Sequence, residues 1–221
     1  MKTAVVIGGT GMVGLQLIDL LIADNRFDKV IVFGRRSTGR QDAKLNEHMI
    51  NFDEPAEWES LVHGDILFSS LGTTLKQAGG QKAQYRIDHT YQYTFAKTAA
   101  QNGIGTYVLV SSAGANPGAA FFYPRMKGEL ERDIKKLPFA STNIIQPGLL
   151  VGERKEERLG EKLGFKILTA LNAAGIFKSY RPVHGRIVAQ AMINAGIVAT
   201  PGTHTFKLNQ VFELAASNSH G

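Results

Sequence analysis

The chain of 221 residues contains no cysteine. This absence excludes disulfide bonds, thiolate nucleophiles and cysteine-ligated zinc, and it favours a reducing, cytoplasmic location. The sequence also has no apolar run long enough to span a bilayer, and the apolar start at residues 4–7 is too short for a signal peptide. From these absences we expect a cytoplasmic protein with no membrane partner.

Positive charge is not gathered into clusters, although the formal net charge is +6 and the pI is about 9.5. Lysine and arginine are densest at residues 35–40 and 153–158, and the second run is nearly balanced by glutamates. A nucleic-acid groove needs clustered cations that neutralise phosphates. We therefore expect no nucleic-acid partner and look for a smaller anionic ligand.

Short β-rich apolar runs alternate with segments of helical period, which is the pattern of a parallel sheet with crossover helices. The predicted strands are residues 3–7, 29–33, 48–52, 66–69, 106–110, 142–146 and 205–208. Helices are predicted at residues 12–23, 84–102 and 125–137, and further along at 161–174 and 185–195. The predicted fold class is α/β, a Rossmann-type doubly wound parallel sheet with helices on both faces.

The length and the 43% hydrophobic content allow one well-filled core, so residues 1–221 are predicted to form a single domain. Beyond Pro147 and Gly148 too little chain remains for a second domain. We expect residues 148–200 to form a small C-terminal cap over the substrate, with residues 151–180 lining the pocket.

A glycine-rich turn links the first predicted strand to the first helix. Within it, Gly8 permits the tight turn, Gly11 lets the backbone approach a pyrophosphate, and Gly14 lets the helix lie close to the strand. The helix N-terminus then offers free N–H groups and a positive dipole end to the phosphates. This context predicts a dinucleotide site formed by Gly8, Thr10, Gly11, Met12, Val13 and Gly14.

Residues about 20 positions beyond this turn normally contact the adenosine ribose and indicate which dinucleotide binds. An NAD site favours Asp or Glu there, because a carboxylate accepts hydrogen bonds from the 2′-hydroxyl. This chain has Gly34, Arg35 and Arg36 instead, with no carboxylate before Asp42. Two guanidinium groups favour the 2′-phosphate of NADP(H), and the alternative is a pair of solvated loop arginines.

Two further strand ends fall at the predicted carboxyl edge of the sheet. Asp53 follows the third strand and is a candidate for the adenine edge, or alternatively for the N-cap of a helix. Leu71 and Gly72 follow the fourth strand and are candidates for the path of the nicotinamide ribose. These assignments rest on strand-end position alone.

The fifth predicted strand runs into Ser111 and Ser112, which places hydroxyl groups at the edge where ligands bind. Tyr123 and Lys127 follow, four residues apart, and on a helix they share one face. An ammonium group beside a phenol favours the phenolate, which makes the tyrosine a better general acid. Together these residues predict proton transfer to a bound carbonyl oxygen.

These residues resemble the short-chain dehydrogenase/reductases, in detail the atypical branch of Tat-interacting-protein-like NAD(P)-binding oxidoreductases. The likeness spans nearly the whole chain and includes residues 8–14, 34–36, 71–74, 111–112, 123–131 and 147–150. It implies NADPH as cofactor, Tyr123 as proton donor and Lys127 as a ligand of the nicotinamide ribose. It also implies that a serine polarises the carbonyl, with Ser112 preferred and Ser111 kept in reserve. The cofactor-binding residues implied at this end of the sheet are Ser111, Tyr123, Lys127, Pro147, Gly148 and Leu150.

The chain departs from that family pattern in two places. Gln146 stands where relatives have an arginine, and the asparagine that assists catalysis from the preceding helix has no clear counterpart. Asp88 and His89 lie nearby, and we interpret them as a surface helix residue and a satisfied histidine. Tyr93 and Lys97 repeat the Tyr–Lys spacing without a serine-bearing strand end before them, so we interpret Tyr93 as a packing residue.

The working prediction is an NADP-dependent oxidoreductase that reduces a small carbonyl compound, as a monomer or a homodimer. In this hypothesis Tyr123 donates a proton to the carbonyl oxygen and Ser112 holds that oxygen in place. One alternative is an NADP(H)-binding regulatory protein that acts through protein contacts. Another is a nucleotide-sugar epimerase-like enzyme, a class that usually needs a larger C-terminal domain.

Overall fold

The computed structural model describes residues 1–151 and 182–217. Its strands are β1 (Lys2–Ile7), β2 (Phe27–Gly34), β3 (Leu45–Met49), β4 (Ile66–Ser69), β5 (Thr106–Val110), β6 (Ser141–Gln146), β7 (Leu150–Val151), β8 (Val183–His184) and β9 (Gly202–Lys207). Its helices are α1 (Met12–Ala23), α2 (Leu75–Ala78), α3 (Gln81–Tyr85), α4 (Gln92–Gln101), α5 (Phe122–Ile134), α6 (Gly185–Val198) and α7 (Asn209–Ala216). A π-helical segment, Arg86–Tyr91, joins α3 to α4, and two 3-10 turns, Pro55–Glu57 and Glu59–Leu61, precede β4. Within these described ranges, no helix is both long enough and apolar enough to cross a membrane.

Seven strands form one parallel sheet in the order β3-β2-β1-β4-β5-β6-β9. The order reverses between β1 and β4, because the chain first builds outward to β3 and then returns beside β1. Since the seven strands run the same way, their carboxyl ends meet along one edge, and ligands of such sheets bind at the reversal. The predicted Rossmann-type parallel fold is confirmed.

Alternate residues of β1 face opposite sides of the sheet and enter two separate cores. Ala4 and Val6 pack in the core that contains α1, α6 and α7, whereas Val5 and Ile7 pack in the core that contains α4 and α5. All four side chains are fully buried. Helices therefore cover both faces, as the continuous apolar sequence of a parallel strand requires.

The third strand lies three residues earlier than the predicted range of 48–52. Phe52, which made the later range resemble a strand, is buried instead against the rings of Trp58 and Tyr91. The observed strand, β3, is at the edge of the sheet and is mostly polar. An edge strand buries less of its surface than a central one and needs fewer apolar residues. A prediction based on apolar content alone therefore placed β3 wrongly.

The helix predicted at residues 84–102 begins earlier and is interrupted by the π-helical segment. At that interruption, the Gln92 side-chain amide donates to the Asp88 carbonyl oxygen at 2.6 Å. The side-chain oxygen of Gln92 accepts the hydroxyl of Ser69, at the end of β4, at 2.6 Å. The π segment is thus tied to a strand end at the ligand-binding edge, and such segments are frequent at functional sites.

Helix α5 begins three residues before the predicted range of 125–137, so Tyr123 lies within its first turn. Pro124 suits that turn because the first N–H groups of a helix have no internal partner. A Cβ on Gly128 would lie 2.2 Å from the carbonyl carbon of Asn116, so the bare glycine lets the loop after β5 pack against α5. The Asn116 N–H donates to the Pro124 carbonyl at 3.0 Å and closes this contact.

Helix α6 belongs to the core rather than to a cap. Its apolar side chains are buried with those of α1, and a Cβ on Gly185 would lie 2.7 Å from the Met12 carbonyl oxygen. Of the predicted cap, residues 148–200, at least α6 therefore forms part of the helical layer over the sheet. The predicted helix at 161–174 and nearly all of the predicted pocket at 151–180 lie outside the described residues.

Candidate dinucleotide-binding and catalytic site

Glycines allow the turn between β1 and α1 to pack unusually close to the backbone of neighbouring residues. Gly8 has a positive φ of 84°, and a Cβ on it would lie 2.3 Å from the backbone nitrogen of Leu71. A Cβ on Gly14 would lie 2.1 Å from the Gly8 carbonyl oxygen, which also accepts the Gly11 N–H at 3.0 Å. No side chain fits at Gly8 or Gly14 without moving backbone. The turn therefore brings the start of α1 against the ends of β1 and β4.

The N-terminus of α1 has free capacity to bind an anion. Its N-cap residue is Gly11, and this helix has no side-chain cap and no acidic residue in its first turn. The N–H groups of Met12 and Val13 belong to the set that a helix leaves without internal partners. A glycine cradle with free N–H groups and a positive dipole end fits the pyrophosphate of a dinucleotide. The residues brought together here are those predicted: Gly8, Thr10, Gly11, Met12, Val13 and Gly14.

The arginine pair lies on the surface directly after β2. Arg35 and Arg36 are exposed, and within residues 1–151 and 182–217 neither side chain makes an ion pair or a hydrogen bond. The third arginine of this loop, Arg40, binds the Asp19 carboxylate of α1 through hydrogen bonds of 2.7 and 2.9 Å. Two guanidinium groups at the carboxyl end of β2 are therefore available to an anionic ligand.

Asp53 is held by the π-helical segment. Its carboxylate forms an ion pair of 2.5 Å with Arg86, and burial together with a hydrogen bond to Asp53 raises the pKa of Tyr91. The guanidinium of Arg86 lies 5.8 Å from the centre of the Tyr91 ring. The alternative of an N-cap is wrong, because the following 3-10 turn has Glu54 as its N-cap residue and no side-chain cap. Contact of Asp53 with adenine stays a prediction.

Asp88 is not the surface residue that the sequence suggested. It is 1% exposed and lies in the π-helical segment, where its carboxylate accepts the Thr73 N–H at 2.7 Å. Gln84 donates to the Thr73 carbonyl at 3.2 Å. Burial raises the pKa of Asp88 to about 6, although the nearby Lys127 ammonium and hydrogen bonds to Asp88 from the Thr73 N–H and the Gln84 side chain oppose the rise. Asp88 therefore ties the loop after β4 to the π-helical segment, and its carboxyl group lies near enough to the Lys127 ammonium for the two charges to interact.

Leu71 and Gly72 begin that loop and lie between the glycine turn and Asp88. The Leu71 backbone is in close contact with Gly8, and its side chain is half-buried. Gly72 is exposed, and a Cβ on it would lie 3.9 Å from the Asp88 carboxylate. Both residues therefore lie at the reversal of strand order, where the path of the nicotinamide ribose was predicted.

Lys127 is buried at the end of β5. Its side chain is 3% exposed, and its Nζ donates to the carbonyl oxygen of Val110 at 3.3 Å. Tyr123 lies one turn earlier on α5 and is 43% exposed. The helix therefore holds an ammonium at the strand end and exposes a phenol one turn away. Tyr93, by contrast, is half-buried and packs against the core that contains α4 and α5, as predicted.

The two serines have different surroundings. Ser111 is buried, and its hydroxyl donates to a carboxylate oxygen of Glu131 at 2.5 Å. The Gln146 amide donates to the same oxygen at 2.7 Å. Ser112 is half-buried, and its hydroxyl makes only a long contact of 3.3 Å with the Ala113 carbonyl among the described residues. The hydroxyl of Ser111 is therefore engaged by protein, whereas that of Ser112 remains available.

Sequence reasoning missed Glu131. It extends the face of Tyr123 and Lys127 by one more turn of α5, and it is 6% exposed. That continued four-residue spacing was the available signal. Gln146, at the position where the resemblance leads us to expect arginine, supplies a neutral amide to this buried carboxylate.

The end of β6 lies beside the serine loop. The Ala113 N–H donates to the carbonyl oxygen of Pro147 at 3.0 Å, and Pro147 is buried. Gly148 is half-buried, and Leu150 begins β7, which pairs with β8. The three residues predicted to contact the cofactor here thus follow the strand that neighbours β5.

His89 is a satisfied histidine, as predicted. Its Nε2 lies 3.3 Å from the Asp133 carboxylate of α5, and its ring stacks on Tyr85 at 4.6 Å. Burial lowers the pKa of His89, while the neighbouring carboxylate opposes that change. Its contacts therefore explain its position without a catalytic role.

Curated relatives of this chain include fungal proteins. The protein named "Protein fmp52, mitochondrial" of Aspergillus niger is 34% identical over 211 residues, which cover 91% of this chain and 90% of the relative. "Protein FMP52-1, mitochondrial" of Scheffersomyces stipitis is 36% identical over 199 residues and matches 87% of each chain. These names do not support the finer resemblance to the Tat-interacting-protein-like oxidoreductases.

The expected cytoplasmic location is wrong by this comparison, because these relatives are named mitochondrial. A lack of cysteine excludes disulfide bonds within the chain, but it does not identify the compartment.

A solved structure has the same fold, and a family model assigns the family. MoeE5 in complex with UDP-glucose and NAD has a TM-score of 0.70 and 15% identity, over 97% of this chain and 81% of that one. The model of the NAD dependent epimerase/dehydratase family matches residues 4–143, which include the glycine turn, both serines, Tyr123 and Lys127. Because that match spans more than half of the chain, the protein belongs to the NAD dependent epimerase/dehydratase family.

Proposed function

We propose that the protein is an NADPH-dependent oxidoreductase that reduces a small carbonyl compound. The observation that carries this proposal is the contact of the Lys127 ammonium with the last residue of β5, one helical turn from the exposed phenol of Tyr123. The glycine cradle and the family match support a dinucleotide at the same edge of the sheet. A proton donor and a cation would then adjoin the cofactor.

Bound NADPH would supply a hydride to the carbonyl carbon. Tyr123 donates a proton to the carbonyl oxygen as negative charge develops there, and Ser112 holds that oxygen by a hydrogen bond. Lys127 binds the ribose and stabilises the phenolate that remains after proton transfer. Tyr123 is 43% exposed, which is compatible with a small ligand beside its ring.

The serines should respond to substitution in opposite ways. Ser112→Ala is expected to lower kcat by about a hundredfold, because it removes the hydrogen bond to the developing oxyanion. Ser111→Ala should keep kcat within about threefold of the wild type but lower the free energy of unfolding by about 1–3 kcal/mol, because Glu131 loses a buried donor. Steady-state kinetics and urea unfolding of both variants make the comparison. A kcat loss confined to Ser111→Ala would reverse the assignment.

The arginine pair is proposed to select NADPH. The double variant Arg35→Ala, Arg36→Ala is expected to weaken NADPH binding by about 10- to 100-fold and NADH binding very little, because charge-assisted hydrogen bonds to the 2′-phosphate are lost. Calorimetric titration with each nucleotide measures the change. Arg40→Ala is the matched control, since that guanidinium already binds Asp19. An unchanged ratio of the two dissociation constants would remove the phosphate role.

Epimerase-like chemistry is a second candidate, because the family model names epimerases and MoeE5, which has the same fold, was solved in complex with UDP-glucose and NAD. The two functions differ in cofactor balance, since an epimerase regenerates its cofactor whereas a reductase consumes NADPH. We expect steady NADPH oxidation with at least one member of a panel of aldehydes, ketones and quinones. Conversion of a nucleotide sugar without net oxidation would favour the epimerase, and nucleotide binding without any turnover would favour a regulatory role.

A further inference from the structure

Glu47 of β3 is hydrogen-bonded to the loop that carries the arginine pair. One carboxylate oxygen accepts the Ser37 hydroxyl at 2.5 Å, and the other accepts the N–H and the hydroxyl of Thr38 at 2.8 and 2.5 Å. Burial alone would raise the pKa of Glu47, but these donors lower it overall, so the carboxylate is ionised at neutral pH. A single side chain thus fixes two consecutive residues of the loop.

The same contacts fold the loop onto the glycine turn. A Cβ on Gly9 would lie 3.2 Å from the Thr38 methyl group, so Thr38 packs beside the residue that follows Gly8. The Ser37 hydroxyl accepts the Gly39 N–H at 3.0 Å, which tightens the loop further. The loop is therefore anchored to β3 and lies next to the proposed pyrophosphate site.

Arg35 and Arg36 lie between the end of β2 and this anchored turn. Their own side chains have no ion pair or hydrogen bond in the described parts of the chain, so the backbone on either side determines where they can reach. A loop that is disordered before binding must be ordered by its ligand, which lowers affinity. By fixing Ser37 and Thr38 beforehand, Glu47 reduces that loss for a ligand that both arginines contact.

We propose that Glu47 is a positioning residue that determines cofactor specificity, because it holds the arginine loop in the shape that binds a 2′-phosphate. The inference rests on the proposed use of NADPH. A carboxylate near a phosphate could instead act by repulsion. The two effects have opposite signs: repulsion predicts tighter NADPH binding when the charge is removed, whereas positioning predicts weaker binding.

The test measures the Kd of NADPH and of NADH by calorimetry for Glu47→Ala and Glu47→Gln. Glu47→Ala should weaken NADPH binding by about tenfold and NADH binding by less than about twofold, because the loop that carries both arginines must then be ordered when the phosphate binds. Glu47→Gln keeps an oxygen that accepts from Thr38 and should lie between wild type and Glu47→Ala. Tighter NADPH binding by Glu47→Gln, or equal weakening of both nucleotides by Glu47→Ala, would overturn the proposal.

A double-mutant cycle separates positioning from general destabilisation. In the Arg35→Ala, Arg36→Ala background, Glu47→Ala should change NADPH affinity by less than about twofold, because its effect passes through the arginines. Asp19→Asn is the control, since it removes the partly exposed ion pair with Arg40 and should leave the preference intact. A wild type without any preference for NADPH overturns the arginine assignment together with this inference. A preference that survives Glu47→Ala overturns the role of Glu47 alone.

Discussion

Tyr123→Phe is expected to bind NADPH with wild-type affinity and to lose about a thousandfold in kcat, the range of a missing general acid. The substitution removes the proton donor but keeps the ring and the first turn of α5. Because Tyr123 is 43% exposed, removal of its hydroxyl leaves no buried polar group without a hydrogen bond, and we expect the variant to fold. Single-turnover oxidation of NADPH, together with a binding titration, measures both quantities in one preparation.

Tyr93→Phe is the matched control for that prediction. Tyr93 has the same spacing to Lys97 as Tyr123 has to Lys127, but it packs against the core that contains α4 and α5. Loss of its hydroxyl should leave kcat within about twofold of the wild type, as for most substitutions away from a site. A Tyr123→Phe variant with an undiminished rate would remove the phenol from the chemistry.

Those parts of the site that depend only on residues adjacent in the sequence were predictable from the sequence. The glycine turn was predictable because Gly8 and Gly14 lie at the spacing that a strand, a turn and a helix require, and the structure brings each against backbone. The exposed position of Arg35 and Arg36 follows equally from their place directly after β2. Local pattern is sufficient where the residue's role is set by the element that carries it.

Features that depend on tertiary contacts were not predictable in this way. Asp88 reads as a surface residue in a regular helix, but the π-helical segment changes the face on which it lies and buries it beside Thr73. Glu47 belongs to a strand whose position was itself predicted three residues too late. Its contact with Thr38 joins two segments that local periodicity treats separately.

The choice between Ser111 and Ser112 likewise depends on a tertiary contact that the sequence does not reveal. Adjacent residues at a strand end carry the same hydroxyl group, so their sequence leaves the register open by one. The structure distinguishes them, because the Ser111 hydroxyl donates to Glu131 of α5 whereas the Ser112 hydroxyl makes only a long contact with the Ala113 carbonyl. Ser112 is therefore the serine whose hydroxyl can bind a substrate. A distant carboxylate thus assigns roles to two residues that sequence alone treats as equivalent.

Gly14→Ala is expected to weaken the binding of NADPH and NADH alike, by about a hundredfold, if lost pyrophosphate contacts amount to two to three hydrogen bonds. The added methyl group would lie 2.1 Å from the Gly8 carbonyl oxygen and 2.9 Å from the Gly9 Cα. Both are backbone atoms, so no rotamer change relieves the overlap, and α1 must move away from β1. Overpacking of this kind also lowers the free energy of unfolding by about 1–3 kcal/mol. Titration with both nucleotides, beside urea unfolding, measures the two effects.

Gly105→Ala is the control, because a Cβ there meets nothing within 4 Å and the backbone has no positive φ. It should leave both affinities unchanged and raise stability by about 0.4–1 kcal/mol through the unfolded chain. Gly14→Ala should weaken the binding of both nucleotides, whereas substitution of the arginine pair should weaken the binding of NADPH alone. This difference distinguishes the role of the glycine turn from that of the arginine loop. A Gly14→Ala protein that is folded and binds either nucleotide with wild-type affinity would show that the pyrophosphate lies elsewhere. The proposed reductase would then lack the contact that brings its cofactor to Tyr123 and Lys127.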